Sequence, residues 1–309
     1  MKRILRITAV LVFSVLLSMT EITYITNTHW GHGLIVKENT RKVLQKISKD
    51  TVQKNLKRTA NFNAADTKSL DTDELIKESS TSTYGIGRMS IPSVGIQVPI
   101  MNGYGSAAQN LSYGACTMKP NQVMGNGNYS LAAHYMWSGM LFGNLHQVTP
   151  GNKVYLTDLK SIYVYTIKTK KLITNLGTEE QTVAANKLIE NHPGKTEISL
   201  ATCPDERSNG ALSKTHKTFV SGEYDGKLPA TSENLVKYEL IAKQETKEQP
   251  KFLKLKANTS KQLPFVKHVT ASYIPTNYVV IIFLLNLLVL TLFALIGAKI
   301  NGRAKIKGN

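Results

Sequence analysis

From residue 85 to residue 224 the chain is built of short apolar runs, each closed off by turn-forming residues. That texture predicts a small β-barrel or sandwich. Residues 88–92 and 96–100 read as the first two strands, and Gly125-Asn126-Gly127-Asn128 as a turn opening the strand 129–136. Pro150-Gly151-Asn152-Lys153 turns into a strand over 154–157. Beyond it Ile162, Val164 and Thr166 alternate with Tyr163, Tyr165 and Ile167 along one long strand. Residues 175–194 are a longer excursion, with a helical turn or two over 181–190. Residues 198–203 and 217–224 complete the set as two strands joined by a polar loop.

Two of these strands end on reactive side chains. Leu200-Ala201-Thr202 ends on Cys203, and Pro204 and Asp205 follow at once, which places the thiol at an edge rather than in a core. Leu131-Ala132-Ala133 ends on His134. Thiol and imidazole are the parts of a Cys–His nucleophile. The thiolate is the reactive species, and a nearby imidazole lets it form near neutral pH. With unperturbed pKa values of about 8.5 and 6.5, the pair can rest neutral or as an ion pair.

The bland readings are weighed beside this one. A cysteine is often a small buried hydrophobe, and Cys116 is read that way. A disulfide between Cys116 and Cys203 would silence the nucleophile, so both are expected as free thiols. A histidine alone is more often structural, and it is the pairing with Cys203 that makes His134 a candidate. His29, His32, His146, His192 and His268 lack ligand-like spacing, so no metal site is expected.

The two ends of the chain have a different character. Residues 278–298 carry no charge and are long enough to cross a bilayer as a helix, with Tyr273 and Tyr278 as interfacial anchors. At the other end, Lys2, Arg3 and Arg6 precede an uncharged run over 7–20, interrupted by Glu21 and extended over 22–25. No small-x-small cleavage site follows, so this run is read as an uncleaved signal anchor. Lys299, Arg303, Lys305 and Lys307 follow the second run, and positive-inside logic puts both termini in the cytoplasm and the middle outside. The expected order is a signal anchor over 1–27, a basic extracellular stalk over 28–84, a catalytic domain over 85–224, a Lys-rich linker over 225–272, a transmembrane helix over 273–298 and a basic cytoplasmic tail over 299–309. Within the first stalk, residues 37–58 read as a basic helix, either lying on anionic headgroups or solvated. A short helix is expected near 233–243.

Lys and Arg number 38 against 21 Asp and Glu, a formal charge of +17. Such a surplus favours polyanionic surroundings. No nucleic-acid-binding module is present in the sequence, so membrane and wall polymer are expected rather than nucleic acid.

Taken together, Leu200-Ala201-Thr202-Cys203, Leu131-Ala132-Ala133-His134 and the connecting stretch 111–129 resemble the sortase family. These are transpeptidases that anchor proteins to Gram-positive cell walls, and the resemblance is to class A. It implies an all-β fold with short helices: a closed, eight-stranded sortase-type barrel, flanked here by an N-terminal and a C-terminal transmembrane helix. It implies a secreted protein with an LPxTG-type sorting signal as substrate and an amine of a peptidoglycan precursor such as lipid II as acceptor. Cys203 would form the thioester, with His134 as general acid and then base. Thr202, Ala201 and Ala133 fall at substrate-binding positions, and residues 175–194 over the groove that reads the signal. No cofactor is implied. Some members bind calcium through acids in the loop before the His strand, but residues 119–128 hold none, so no calcium site is expected.

One departure stands out. The family places an Arg on the last strand near the thiol, and this chain has none there. Aligning on Gly222-Glu223 puts Lys217 at that position; a one-residue shift puts His216 there, and Arg207 in the loop is a third candidate. The rival readings are a pilus-assembling class C enzyme, a Cys–His wall hydrolase and a sortase-fold binding protein without catalysis. Residues 59–87 have no Asp-Pro-aromatic lid motif, and His precedes Cys in the chain; these argue against the first two.

Overall fold

The computed structural model describes residues 2–63, 85–174, 178–202, 217–241 and 283–291. They fall into two compact units, one over 33–257 and one formed by 1–32 with 258–309.

In the larger unit the alternating runs form eight strands: β1 (Gly85–Ile91), β2 (Ile96–Met101), β3 (Ala115–Thr117), β4 (Asn128–Ala132), β5 (Lys153–Thr157), β6 (Ser161–Ile173), β7 (Glu197–Thr202) and β8 (Lys217–Pro229). They close into a barrel in the order β1-β2-β3-β4-β7-β8-β6-β5, with β5 back on β1. Closure removes the exposed strand edges that an open sheet of this length would carry. β2 pairs with β3, and β4 with β7, in parallel; the other pairs are antiparallel. Ala115 of β3 joins an apolar core to which the inward positions of the other strands supply Met89, Ile100, Leu131, Leu156, Tyr165, Leu200 and Val220, all fully buried. Each such side chain contributes roughly 1.5–3 kcal/mol of burial. Gly95, at φ 66°, takes the left-handed turn between β1 and β2 that a side chain would resist.

Of the flanking segments expected as stalk and linker, residues 33–63 and 225–241 belong to this unit. Helices α2 (His29–Lys46) and α3 (Lys49–Leu56) are separated at Ser48, which caps α3 in a reciprocal pair with Thr51. Val36 joins the barrel core, while Val43, Ile47 and Val52 pack with Met101, Tyr113 and Cys116. The basic segment 37–58 is therefore neither a free stalk nor a helix with its apolar face in lipid, because that face is buried on the barrel. Thr40 adds a hydrogen bond to the Tyr113 carbonyl at 2.9 Å. On the other side, β8 runs to Pro229, and residues 225–241 are part of the barrel unit rather than linker. The short helix α5 (Ser232–Lys237) and the turn after it bury Leu235 and Leu240 against Ile162. Between β6 and β7 lies α4 (Glu179–Ile189), capped at its start by Thr178.

Arg88 ties both flanks to β1. It is buried and donates to the carbonyls of Leu44 at 2.7 Å and Leu240 at 3.2 Å. Arg88→Ala is expected to lower unfolding free energy by about 3 kcal/mol, because it removes two hydrogen bonds and a buried, packed side chain. Chemical denaturation measures this, and Arg88→Lys should recover only part of the loss.

In the smaller unit, α1 (Lys2–Asn27) lies with a helix over 283–291. The Asn286 amide donates to Ser18 Oγ at 3.1 Å and to the Glu21 carboxylate at 2.8 Å. Among the described residues, no helix is long and apolar enough to cross a membrane. Most of the expected C-terminal span lies outside the described residues.

Candidate active site

The parallel pairing of β4 with β7 brings the two motifs together. Its register sets Leu131 against Leu200 and Ala132 against Ala201. Beyond the ladder, the Ala133 N–H donates to the Ala201 carbonyl at 3.2 Å, and the Thr202 hydroxyl donates to the Ala133 carbonyl at 2.9 Å. His134 therefore leaves the sheet beside the end of β7, and the Phe142 N–H closes the following loop onto its carbonyl at 3.1 Å. Cys203, Arg207 and His216 lie outside the described residues. Chain geometry alone keeps the Cα of residue 203 about 3.8 Å from that of Thr202.

Lys217 is the first residue of β8. Thr202 pairs with Thr218, and Ala201 with Phe219. Strand alternation puts Lys217 on the face of Phe219, and Phe219 packs with Ala201 and Ala132 in an outer apolar cluster. Lys217 is near enough to His134 for its charge to act on the imidazole. His134 is half-buried, and loss of water around the ring pushes its pKa down to about 4, with the Lys217 ammonium adding to the shift. The imidazole is neutral at neutral pH.

A depressed pKa links to stability with a definite sign. Between about pH 6.5 and 4 the unfolded chain takes up a proton at this histidine and the folded one does not. The contribution is fully present above 6.5 and declines as pH falls to 4, by about 3 kcal/mol at most. A stability–pH curve should flatten across that window in His134→Gln.

Three residues expected at substrate-binding positions are placed as follows. Thr202, Ala201 and Ala133 are all buried, and the Thr202 hydroxyl already ties the two motif strands together. Cys116 is a fully buried, reduced thiol in β3. Among the described residues, no cluster of His, Cys, Asp and Glu could hold a metal ion.

The sequence reading missed how α4 is held. Its last carbonyls have no partners within the helix, and polar side chains of the barrel supply them. Ser199 donates to Leu188, Ser130 to Ile189 at 2.9 Å, and Asn128 to Leu188 and Glu190 at 3.0 and 2.9 Å. Lys119 donates to the carbonyls of Ile189 and Asn128, and partial desolvation holds its pKa below the ordinary lysine value. So anchored, α4 lays Ala185, Leu188 and Ile189 over the cluster of Ala132, Ala201, Phe219 and Met118. Polar Asn128, Ser130 and Ser199 inside otherwise apolar strands were the available signal.

Comparison with known proteins agrees with this arrangement. The Sortase domain family model matches residues 89–223. Sortase A of Streptococcus agalactiae is 32% identical over 234 residues, covering 72% of this chain and 88% of that protein. Sortase A of Listeria monocytogenes is 31% identical over 196 residues, covering 60% and 83% respectively. The solved structure of Listeria monocytogenes sortase A aligns at 35% identity with 51% of this chain and 98% of its own, with a TM-score of 0.43. The chain belongs to the sortase family. Within it the chain is class A-like, a cysteine transpeptidase.

Proposed function

We propose that the chain is held in the membrane by both ends, faces outward, and transfers proteins with an LPxTG-type sorting signal to an amine of a peptidoglycan precursor such as lipid II. The observation that carries the site assignment is the β4–β7 register, which sets His134 beside the strand that ends one residue before Cys203. With a neutral imidazole, Cys203 gives its proton to His134 as sulfur attacks the Thr carbonyl of the signal. The tetrahedral adduct collapses to a thioester as the C–N bond breaks, and His134 passes the proton to the departing Gly amine. The acceptor amine then attacks the thioester, His134 takes its proton, and the leaving thiolate recovers it. Lys217 supplies positive charge to the oxyanion, with a backbone N–H near Cys203. His216 and Arg207 are the alternatives for that role. Ala201 lies in the outer apolar cluster that α4 flanks and against which the signal side chains would pack, while Ala133, packed in the barrel core, and Thr202 would hold the backbone beside it. No cofactor, calcium included, enters these steps.

The test is mass spectrometry of the full chain in detergent with an LPxTG peptide and an amine acceptor. An acyl adduct on Cys203 and a transpeptidated product are expected. A folded enzyme giving no adduct with several signal variants would sink the substrate assignment and favour the binding-protein reading.

A further inference from the structure

Gly33, in α2, touches the loop that follows His134. A side chain built there would stand 2.5 Å from Ser138 Cβ, so the helix meets the Ser138 side chain at a point where glycine leaves the room. On either side of that point two large apolar side chains face solvent. Leu34 is 42% exposed on the helix, and Trp137 is 37% exposed on the loop. Lys37, one turn on from Leu34, and Arg41, a turn beyond, are exposed on the same flank. Val36, on the other side of the helix, is buried in the barrel core. The helix is thus docked by one face and carries an apolar and basic stripe on another. That composition, with a tryptophan beside leucine and cations, is the one suited to the boundary between water and lipid.

Chain length says which surface this patch meets. Gly33 follows the end of α1 at Asn27 by six steps along the chain, and six steps reach at most about 20 Å. On the two-anchor reading, on which this inference rests, the patch cannot stray far from the bilayer. We infer that Leu34 and Trp137 seat the end of the barrel that carries His134 on the headgroup layer of the membrane, with Lys37 reaching anionic lipid. Trp137 stands three residues from His134, so the general acid would work at the height of an acceptor amine carried on a lipid.

Depth-dependent quenching tests this in the full chain, reconstituted into vesicles of phosphatidylglycerol and phosphatidylcholine brominated near the headgroup. Trp30 is replaced by Phe, which leaves Trp137 as the only tryptophan. The control carries Trp30→Phe, Trp137→Phe and Val123→Trp; Val123 is exposed on the turn before β4, at the far end of that strand from His134. Brominated lipid is expected to quench Trp137 about twofold and the control by under about a tenth. Quenching of Trp137 no greater than the control, in protein that floats with the vesicles after alkaline washing, overturns the seating and leaves the anchors standing. Protein that fails to float overturns the anchors, and the seating with them.

Discussion

Cys203→Ala is expected to abolish the acyl-enzyme and to lower transpeptidation by at least about 10⁴-fold, because it removes the thiol that would form the thioester. The only other thiol, Cys116, is fully buried in β3 and packs with Tyr104, Leu111 and Tyr113. It has no path to a substrate while Val43, Ile47 and Val52, from the segment of α2 and α3, pack in the same cluster. His134→Ala should cost about 10³-fold, since the same imidazole serves both halves of the reaction. Intact-mass measurement after mixing with substrate separates the two variants. Cys203→Ala gives no adduct at any time, whereas His134→Ala gives a slow one. Unchanged turnover in Cys203→Ala would remove the proposed mechanism altogether.

Lys217 carries the second large effect. Lys217→Gln is expected to lower kcat/KM by about 10²–10³-fold, the usual result of removing one oxyanion donor. It should also move a titration. The Lys217 ammonium contributes to the low pKa of His134, behind the larger effect of desolvation. Removing that charge should raise the histidine pKa from about 4, so the acidic limb of the pH–rate profile shifts to higher pH. A merely structural lysine would lower the rate without moving that limb. Lys217→Arg should keep the limb in place, since the charge remains. If Lys217→Gln is silent in both readouts, the cation is His216 or Arg207.

The strands were legible because this chain punctuates them. Gly95, the 125–128 turn and Pro150-Gly151 end runs whose period of two is plain, and β1, β2, β5 and β6 fall within a few residues of where that pattern puts them. The two motifs were legible in the sequence, but the pairing of the strands that carry them was not. Parallel pairing of β4 with β7 is a contact between segments some 70 residues apart, and periodicity is blind to partners. The flanks misled for a related reason. Val36, Val43, Ile47 and Val52 make a thin stripe among lysines, and composition weighs the charges and not the face they leave free. Residues 225–229 look like linker, yet Gly226, at φ 125°, lets β8 bulge and continue against β6. Alternation did bear on the choice among cations, once the structure fixed which parity of β8 shares the outer cluster.

Asn286 holds Glu21 across a gap of 265 residues, and that gap is also an interval of time. On the two-anchor reading, the first anchor enters the bilayer with an acidic side chain whose amide partner is made 265 residues later. A carboxyl left unmatched in lipid is costly. A polypeptide terminated early, or cut within residues 242–282, would keep that mark of incompleteness in its first anchor. The acid of the first helix is thus matched only in a polypeptide that runs on to residue 286.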